Sequence, residues 1–474
     1  MLNAGEEQRG SSLWVAAAVL VALAAAIGFY HLPTESAAFY EYVGKALLGG
    51  KALYRDVWDN KLPSIYYLNA LWQLLFGSRY VLHWAVEVCV LLVTVGLFAV
   101  FARGERVALW GPATFVVAFF LSPPTLRHFN YTETYATCLI MLALVAAQRG
   151  APIVSGVVLT LAATFWLPAV FLAAPILVVS SDREQRIRFL AAFLVSAVLA
   201  GAAIVLTFGG GPILAGLGEM YGWERVRWDR AFARSEALHL WNVLNNTGLL
   251  VLVVFALGLV RRPQNDVERT ALVWLVSALA GAAISLDFSE HEFLPLVPPL
   301  AFAIVTYGAG QFSLVRTAVF AVLIVALVSR GAHMIAAVRD GIAQEMSEAR
   351  NSVAVGRVID AGISKNRRLL VYGYASGIYL TAQREAAGRY PNHADTVTPA
   401  SARERARRAE YLAGVRAAAA IVTTGGAVFF PGMDRVVATQ FMPPCSVASN
   451  AFRVYFRRGF ASRASCRRTE TAGR

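Results

Sequence analysis

The chain has 474 residues, of which 57% are hydrophobic and only 15% charged, and a formal net charge of +13; its mean hydropathy is +0.54. A soluble protein carries about 25% charged residues, so this composition excludes an ordinary soluble enzyme. Apolar runs of about 16 to 25 residues recur from Leu13 to Val328, as bilayer-spanning helices require, and predict a multi-pass membrane protein.

The first run, 13–30, is too long for a removable signal peptide, and no small-residue cleavage pattern follows it. Further spans are expected at 80–102, 107–121, 133–148, 152–165, 168–180, 189–208, 247–260, 271–286, 295–308 and 314–330, about eleven in all. Arg103 and Arg106, Arg149, Arg183, Arg186 and Arg188, Arg261, Arg262 and Arg269, and Arg316 fall in alternate short loops. The positive-inside rule makes those loops cytoplasmic. The N-terminus is then inside, and the loops at 31–79, 122–132, 209–246 and 287–294 lie outside with everything after about 331. The expected division is a membrane domain at 1–330 and an outer domain at 331–474.

The first outer loop is polar and acidic where the chain otherwise uses few charges. It runs through His31-Leu32-Pro33-Thr34-Glu35-Ser36 to Tyr54-Arg55-Asp56-Val57-Trp58-Asp59-Asn60-Lys61-Leu62-Pro63. Polar groups at the lip of a membrane are costly and usually functional. Ser36 to Leu48 reads as an amphipathic helix with Phe39, Tyr40, Val43, Leu47 and Leu48 on its apolar side, stopped by Gly49-Gly50. Ser64 to Phe76 reads as a second, ending at Gly77. Helices of this kind lie in the membrane interface and would form a shelf under an active site. The loop at 209–246 opens on Gly209-Gly210-Gly211-Pro212 and carries an aromatic, charged stretch from Tyr221 to Trp241 that could form another interfacial helix or a lid.

Residues 331–474 hold 21 Arg+Lys against 10 Asp+Glu, a surplus of 11. This reads as a basic face near anionic lipid, or as a cover for a phosphate-bearing substrate; a nucleic-acid partner is not expected on the outer face. The tail reads as a small α/β unit, with strands at Leu369–Tyr374, Ala420–Thr424 and Phe452–Phe456 and helices at 345–363 and 400–418. Four lysines against 39 arginines point to a GC-rich bacterial genome, and Lys45, Lys51 and Lys61 all sit in the first outer loop. Cys89 and Cys138 fall in expected helices, while Cys445 and Cys466 lie where an oxidising compartment would allow a disulfide.

Three outer segments place ionisable groups beside membrane helices: Glu35 with Asp56, Asp59 and Lys61; Arg127-His128-Phe129-Asn130-Tyr131-Thr132-Glu133; and Asp287-Phe288-Ser289-Glu290-His291-Glu292-Phe293-Leu294-Pro295. A carboxylate near an acceptor hydroxyl can act as general base. A lysine, an arginine or an acid-bound divalent cation can neutralise a phosphate leaving group. Structural roles stand beside these: Glu35, Asn130 and Glu133 suit helix caps, Asp56 and Asp59 suit solvated turns, and His291 suits an interface.

The ordered set of Glu35, Tyr40, Leu47-Leu48-Gly49-Gly50, Tyr54-Arg55-Asp56, Asp59-Asn60-Lys61-Leu62-Pro63 and Phe76-Gly77 resembles the first outer loop of the C-type membrane glycosyltransferases. The similar branch is that of the aminoarabinose and protein-mannose transferases. Asn130-Tyr131-Thr132-Glu133, His291 through Leu296 with Pro298, and Val371-Tyr372-Gly373 through Arg384 and Arg389-Tyr390 extend the resemblance over nearly the whole chain. That family usually has a pair of acids where Thr34-Glu35 stands here, an acid before the loop lysine where Asn60 stands, and His-Tyr where His291-Glu292 stands.

The resemblance implies a mainly α, polytopic helix bundle of the GT-C kind with a C-terminal periplasmic α/β domain. It implies transfer of a sugar from a polyprenyl-phosphate donor to a lipid, polysaccharide or protein acceptor, with inversion, on the periplasmic face of a bacterial inner membrane. Glu35 would be the general base, with Asp56 and Asp59 as its catalytic companions. Lys61, Arg127, Tyr54, Trp58, Asn130, Tyr131, His291, Arg384 and Arg389 would hold the donor phosphate and the sugar. Glu35, Asp59 and Glu133 would bind any divalent cation (Mg, Mn or Zn), and membrane lipids would be further partners. The alternatives are a lipid-linked glycan polymerase or ligase, which would want large arginine-rich outer loops, a lipid or solute transporter, which would want inverted repeats, and a family member that has lost activity and kept a scaffolding role.

Overall fold

The computed structural model describes residues 35–104, 130–220, 262–284, 290–308, 349–373, 375–391, 402–424, 428–430, 432–448 and 451–460, with isolated positions at 237–260 and 347. Those residues are mostly helical and group into two compact units. One gathers 60–64 with 84–341, the other 30–59 and 65–83 with 342–474. The expected spans at 13–30, 107–121 and 314–330, and nearly all of 247–260, lie outside the described residues.

In the first unit, α3 (Tyr80–Gly104, whose first residues belong to the other unit) is followed by α4 (Thr132–Gln148), α5 (Pro152–Phe165), a 3-10 turn at Leu167–Leu172, α6 (Ala173–Val179), α7 (Arg183–Phe208) and α8 (Gly210–Met220). Then come α9 (Asp266–Ala283), a second 3-10 segment at Glu290–Leu296 and α10 (Val297–Gly308). Pro152 opens α5 at a position where its missing N–H costs nothing. Asp182 caps α7 by accepting the Gln185 N–H at 2.8 Å, and Asn265 caps α9 in the same way from Glu268. Two of the described helices, Tyr80–Arg103 and Arg183–Phe208, are long and apolar enough to cross a bilayer. α7 turns Val198, Leu199 and Leu206 outward at 65% exposure or more, a surface suited to lipid rather than water.

The core of this unit is an aromatic cluster in which Phe101, Trp274 and Phe302 lie within 5.6 Å of one another, ring centroid to centroid. α5 and α7 meet backbone to backbone at Gly156, where an added Cβ would fall 2.7 Å from the Phe193 nitrogen. Thr160 and Ser196 hydrogen-bond across the same seam at 2.7 Å. Small residues at membrane helix contacts permit such approach.

The second unit holds α1 (Glu35–Leu48), most of α2 (Ser64–Phe76), and a four-stranded sheet of β1 (Leu369–Tyr372), β2 (Ala420–Thr424), β3 (Cys445–Val447) and β4 (Phe452–Phe456). The strand order is β1-β2-β4-β3, with β1 and β2 parallel and the other pairs antiparallel. Helices α11 (Gly377–Ala382), α12 (Ala402–Ala417) and α13 (Met433–Gln440) complete it, and a further helix runs through 349–362. All four β1 residues are buried, as a strand covered on both faces requires.

α1 packs on α2 through Gly44, whose Cβ would lie 2.6 Å from the Ala70 nitrogen. It also joins the tail residues. The Tyr42 ring lies 4.7 Å from that of Tyr379, and its hydroxyl accepts the Ala386 N–H at 2.8 Å. Burial pushes the Tyr42 phenol up to about 12. Cys89 and Cys138 are free, whereas Cys445 is disulfide-bonded.

Candidate functional site

In the first unit the site grows from the entry to α4. Asn130 adopts φ +71°, a left-handed conformation that asparagine tolerates better than most residues. Its N–H donates to the buried carboxylate of Glu87 on α3, and its side-chain oxygen accepts from the Tyr135 hydroxyl at 3.3 Å. That turn presents Tyr131 and, one residue into α4, the fully buried Glu133. The second 3-10 segment packs on α4 and delivers His291, whose ring stacks on Tyr131 at 4.6 Å with 4° between the planes.

Lys61 completes the group. Its ammonium lies 3.9 Å from a Glu133 oxygen, with the two side chains 14% and 1% exposed. Neither Glu133 oxygen has a hydrogen-bond partner of good geometry. Glu133, His291 and Glu292 can each place one ligand atom within 4.8 Å of the others. Two carboxylates and an imidazole suit Mg, Mn or Zn, and buried oxygens without hydrogen bonds are what a cation would satisfy. Of the expected ligands Glu35, Asp59 and Glu133 only Glu133 is in this group; His291 was expected to bind substrate, and the adjacency of Glu292 to His291 was the available sequence signal.

The remaining expected residues in the first loop and tail belong to the second unit. Asp56 closes a turn: it accepts the Ala52 N–H at 2.8 Å and both nitrogens of the Arg55 fork. Those bonds hold its carboxyl down at about 2. Asp59 accepts a hydrogen bond from the Tyr66 hydroxyl, and burial with the Asp59 charge drives that phenol well above its usual range. Tyr54 sits at φ +64° and is buried edge-on to Trp58 at 6.0 Å.

The Trp58 N–H donates to the Arg389 carbonyl at 2.7 Å, and the Arg389 guanidinium lies over the rings of both Trp58 and Tyr390 while pairing with Glu410. Arg384 is a buried strut. It bonds Asp360 at 2.9 Å and the carbonyls of Ala382 and Ile363. Glu35 opens α1, but its side chain lies outside the described residues, as does Arg127. A buried group the sequence did not announce is Glu41, which contacts His83 and accepts from Gln73.

The fold is of the GT-C, ArnT-like kind. Crystal structures of ArnT, an aminoarabinose transferase, from Cupriavidus metallidurans share it. The structure bound to undecaprenyl phosphate superposes with a TM-score of 0.58 and 14% identity, covering 95% of this chain and 99% of that one. The apo structure gives 0.57 and 14%, with 94% and 98% covered. No protein-family model and no curated protein sequence matches the chain.

Proposed function

We propose that the protein is a membrane glycosyltransferase. It moves a sugar from a polyprenyl-phosphate donor to a hydroxyl of a lipid, glycan or protein acceptor, with inversion, on the periplasmic face of a bacterial inner membrane. The supporting observation is Lys61 paired with Glu133, the carboxylate that also groups with His291 and Glu292, within the fold that ArnT shares. In a low-dielectric site a fixed ammonium stabilises charge developing on a leaving phosphate far more than it would in water.

In the reaction, the acceptor oxygen attacks the anomeric carbon and the bond from that carbon to the phosphate oxygen breaks. The electron pair leaves on polyprenyl phosphate, and the acceptor proton passes to Glu35. Lys61 binds the departing phosphate, and Glu133 holds the ammonium in place until the donor arrives. Tyr131, presented by the turn at Asn130, fixes His291 beside them. A divalent cation held by Glu133, His291 and Glu292 would add a second positive charge beside the leaving group. Asp59, through Tyr66, and Asp56, through its turn, shape the loop that carries Tyr54 and Trp58.

The test is purified full-length protein with a panel of polyprenyl-phosphate sugars and membrane-lipid acceptors, following release of polyprenyl phosphate. Turnover of at least one donor is expected, falling roughly a hundredfold or more in Glu35→Gln, as removal of a general base does. Chelation followed by return of Mg, Mn or Zn checks the cation. No turnover of any donor would favour the polymerase or the transporter.

A further inference from the structure

Several arginines of the second unit have internal work. Arg384 is buried on Asp360, Arg389 pairs with Glu410, and the Arg457 and Arg458 side chains donate to carbonyls at the ends of α12 and α13. Lys365, Arg367, Arg368 and Arg416 differ. All four are exposed, and none has a carboxylate partner among the described residues.

The backbone brings these cations together. The Ala419 N–H donates to the Arg368 carbonyl and the Arg457 N–H to the Ala419 carbonyl, both at 2.9 Å. The Arg457 side chain reaches the Arg416 carbonyl. The Arg367 guanidinium lies 4.5 Å above the ring of Phe460, which is 43% exposed. The end of the sheet where β1 and β2 begin and β4 finishes is thus ringed with positive charge around an exposed aromatic. The two nearby carboxylates are engaged: Asp360 with Arg384 and Glu385 with Lys51.

Helix α1 of the first loop meets the tail beside this same end. Glu385 and Ala387 bracket Leu369, the residue after Arg368, through hydrogen bonds of 2.9 and 2.8 Å, and Ala386 between them bonds Tyr42 of α1. α2, packed on α1, exposes Tyr67, Leu71, Leu74 and Leu75 by 44 to 69%. Their spacing puts them on one helix face, the arrangement of a helix lying in a bilayer interface.

We propose that the cationic end of the sheet docks on the phosphate-bearing headgroups of the anionic bilayer that the chain spans, beside the apolar face of α2. Charges spread over two chain segments around an aromatic on a third suit an array of headgroups better than one small anion. The sequence beyond Phe460 continues basic, with Arg463, Arg467, Arg468 and Arg474 against Glu470. The inference rests on the membrane location alone. Lipid binding is measured without sugar transfer, so the two readings fail separately.

The experiment titrates the full chain in detergent with phosphatidylglycerol and phosphatidylcholine and counts retained lipids by native mass spectrometry. Each arginine near an anionic surface is worth about fivefold in partition. The variant Arg367→Gln/Arg368→Gln/Arg416→Gln is therefore expected to lose tenfold or more of the preference for phosphatidylglycerol. A control of equal charge, Arg357→Gln/Arg405→Gln/Arg435→Gln, substitutes exposed arginines elsewhere and should keep it, with the wild-type preference weakening in high salt. Equal losses in the two variants, or none in either, would overturn the proposal. Displacement of the lipid by inorganic phosphate at low millimolar concentration would do so too, marking a site for a free anion.

Discussion

Tyr131 and His291 lie ring on ring at 4.6 Å, nearly parallel, although one stands just before α4 and the other opens a 3-10 segment far along the chain. The stack limits rotation of the imidazole and so sets where its nitrogens fall relative to Glu133. Tyr131→Leu should lower stability by about 0.5–1.5 kcal/mol, the aromatic contribution of such a pair, and raise the KM for the donor. Tyr131→Phe keeps the ring and should retain the stacking share of that stability. Unfolding in detergent and donor titration measure the two effects.

Lys61 and Glu133 form a buried pair, so breaking it from one side leaves an uncompensated charge. Lys61→Met or Glu133→Gln alone should cost about 3–5 kcal/mol. The double variant should recover most of that stability while transfer stays lost. Recovery of transfer along with stability would limit the pair to a structural role.

Asp56 gives a pH prediction. Its carboxyl is lowered from 3.8 to about 2 by Arg55 and the Ala52 N–H. A depressed acid contributes stability above its unfolded value and loses it as pH falls through the folded one. Asp56→Asn should therefore unfold at lower urea than wild type at pH 7, with the gap closing between pH 3.8 and about 2. A gap independent of pH would mean that the turn does not depend on the charge.

Gly156 leaves no room for a side chain between α5 and α7, because backbone atoms of both Phe193 and Phe189 lie under 3.0 Å from an added Cβ. Gly156→Ala should destabilise the first unit by about 1–3 kcal/mol through overpacking, read as a lower midpoint of thermal unfolding in detergent.

Local patterns were readable where one physical requirement dominated. The amphipathic segments expected at 36–48 and 64–76 are observed as Glu35–Leu48 and Ser64–Phe76, because glycine or proline marks their limits. β2 and β4 fall where apolar, β-prone runs placed them. α5 occupies 152–165 as expected, but the run at 168–180 splits into a 3-10 turn and the short α6, which Pro168 and Pro175 interrupt. α8 falls within the loop expected at 209–246, because its glycines mask an apolar helix. β3 is three residues long, too short to show a period.

The site was legible as residue types but not as partnerships. Glu133 and His291 stood out, yet nothing local pairs Lys61 with Glu133 or gives Glu87 the N–H of Asn130. Arg384 looked like a ligand-binding cation because sequence does not reveal burial. Its guanidinium proved to be enclosed by its own chain.

The bond from Ala386 to Tyr42, with that from Trp58 to Arg389, has a consequence for biosynthesis. Early-made residues of the second unit must wait for partners synthesised hundreds of residues later. Until translation ends, Tyr42 and Trp58 are uncovered and open to proteolysis or to capture by a chaperone. A ribosome stalled before residue 386 would leave them so, and a damaged tail would reach the first loop without a mutation near it.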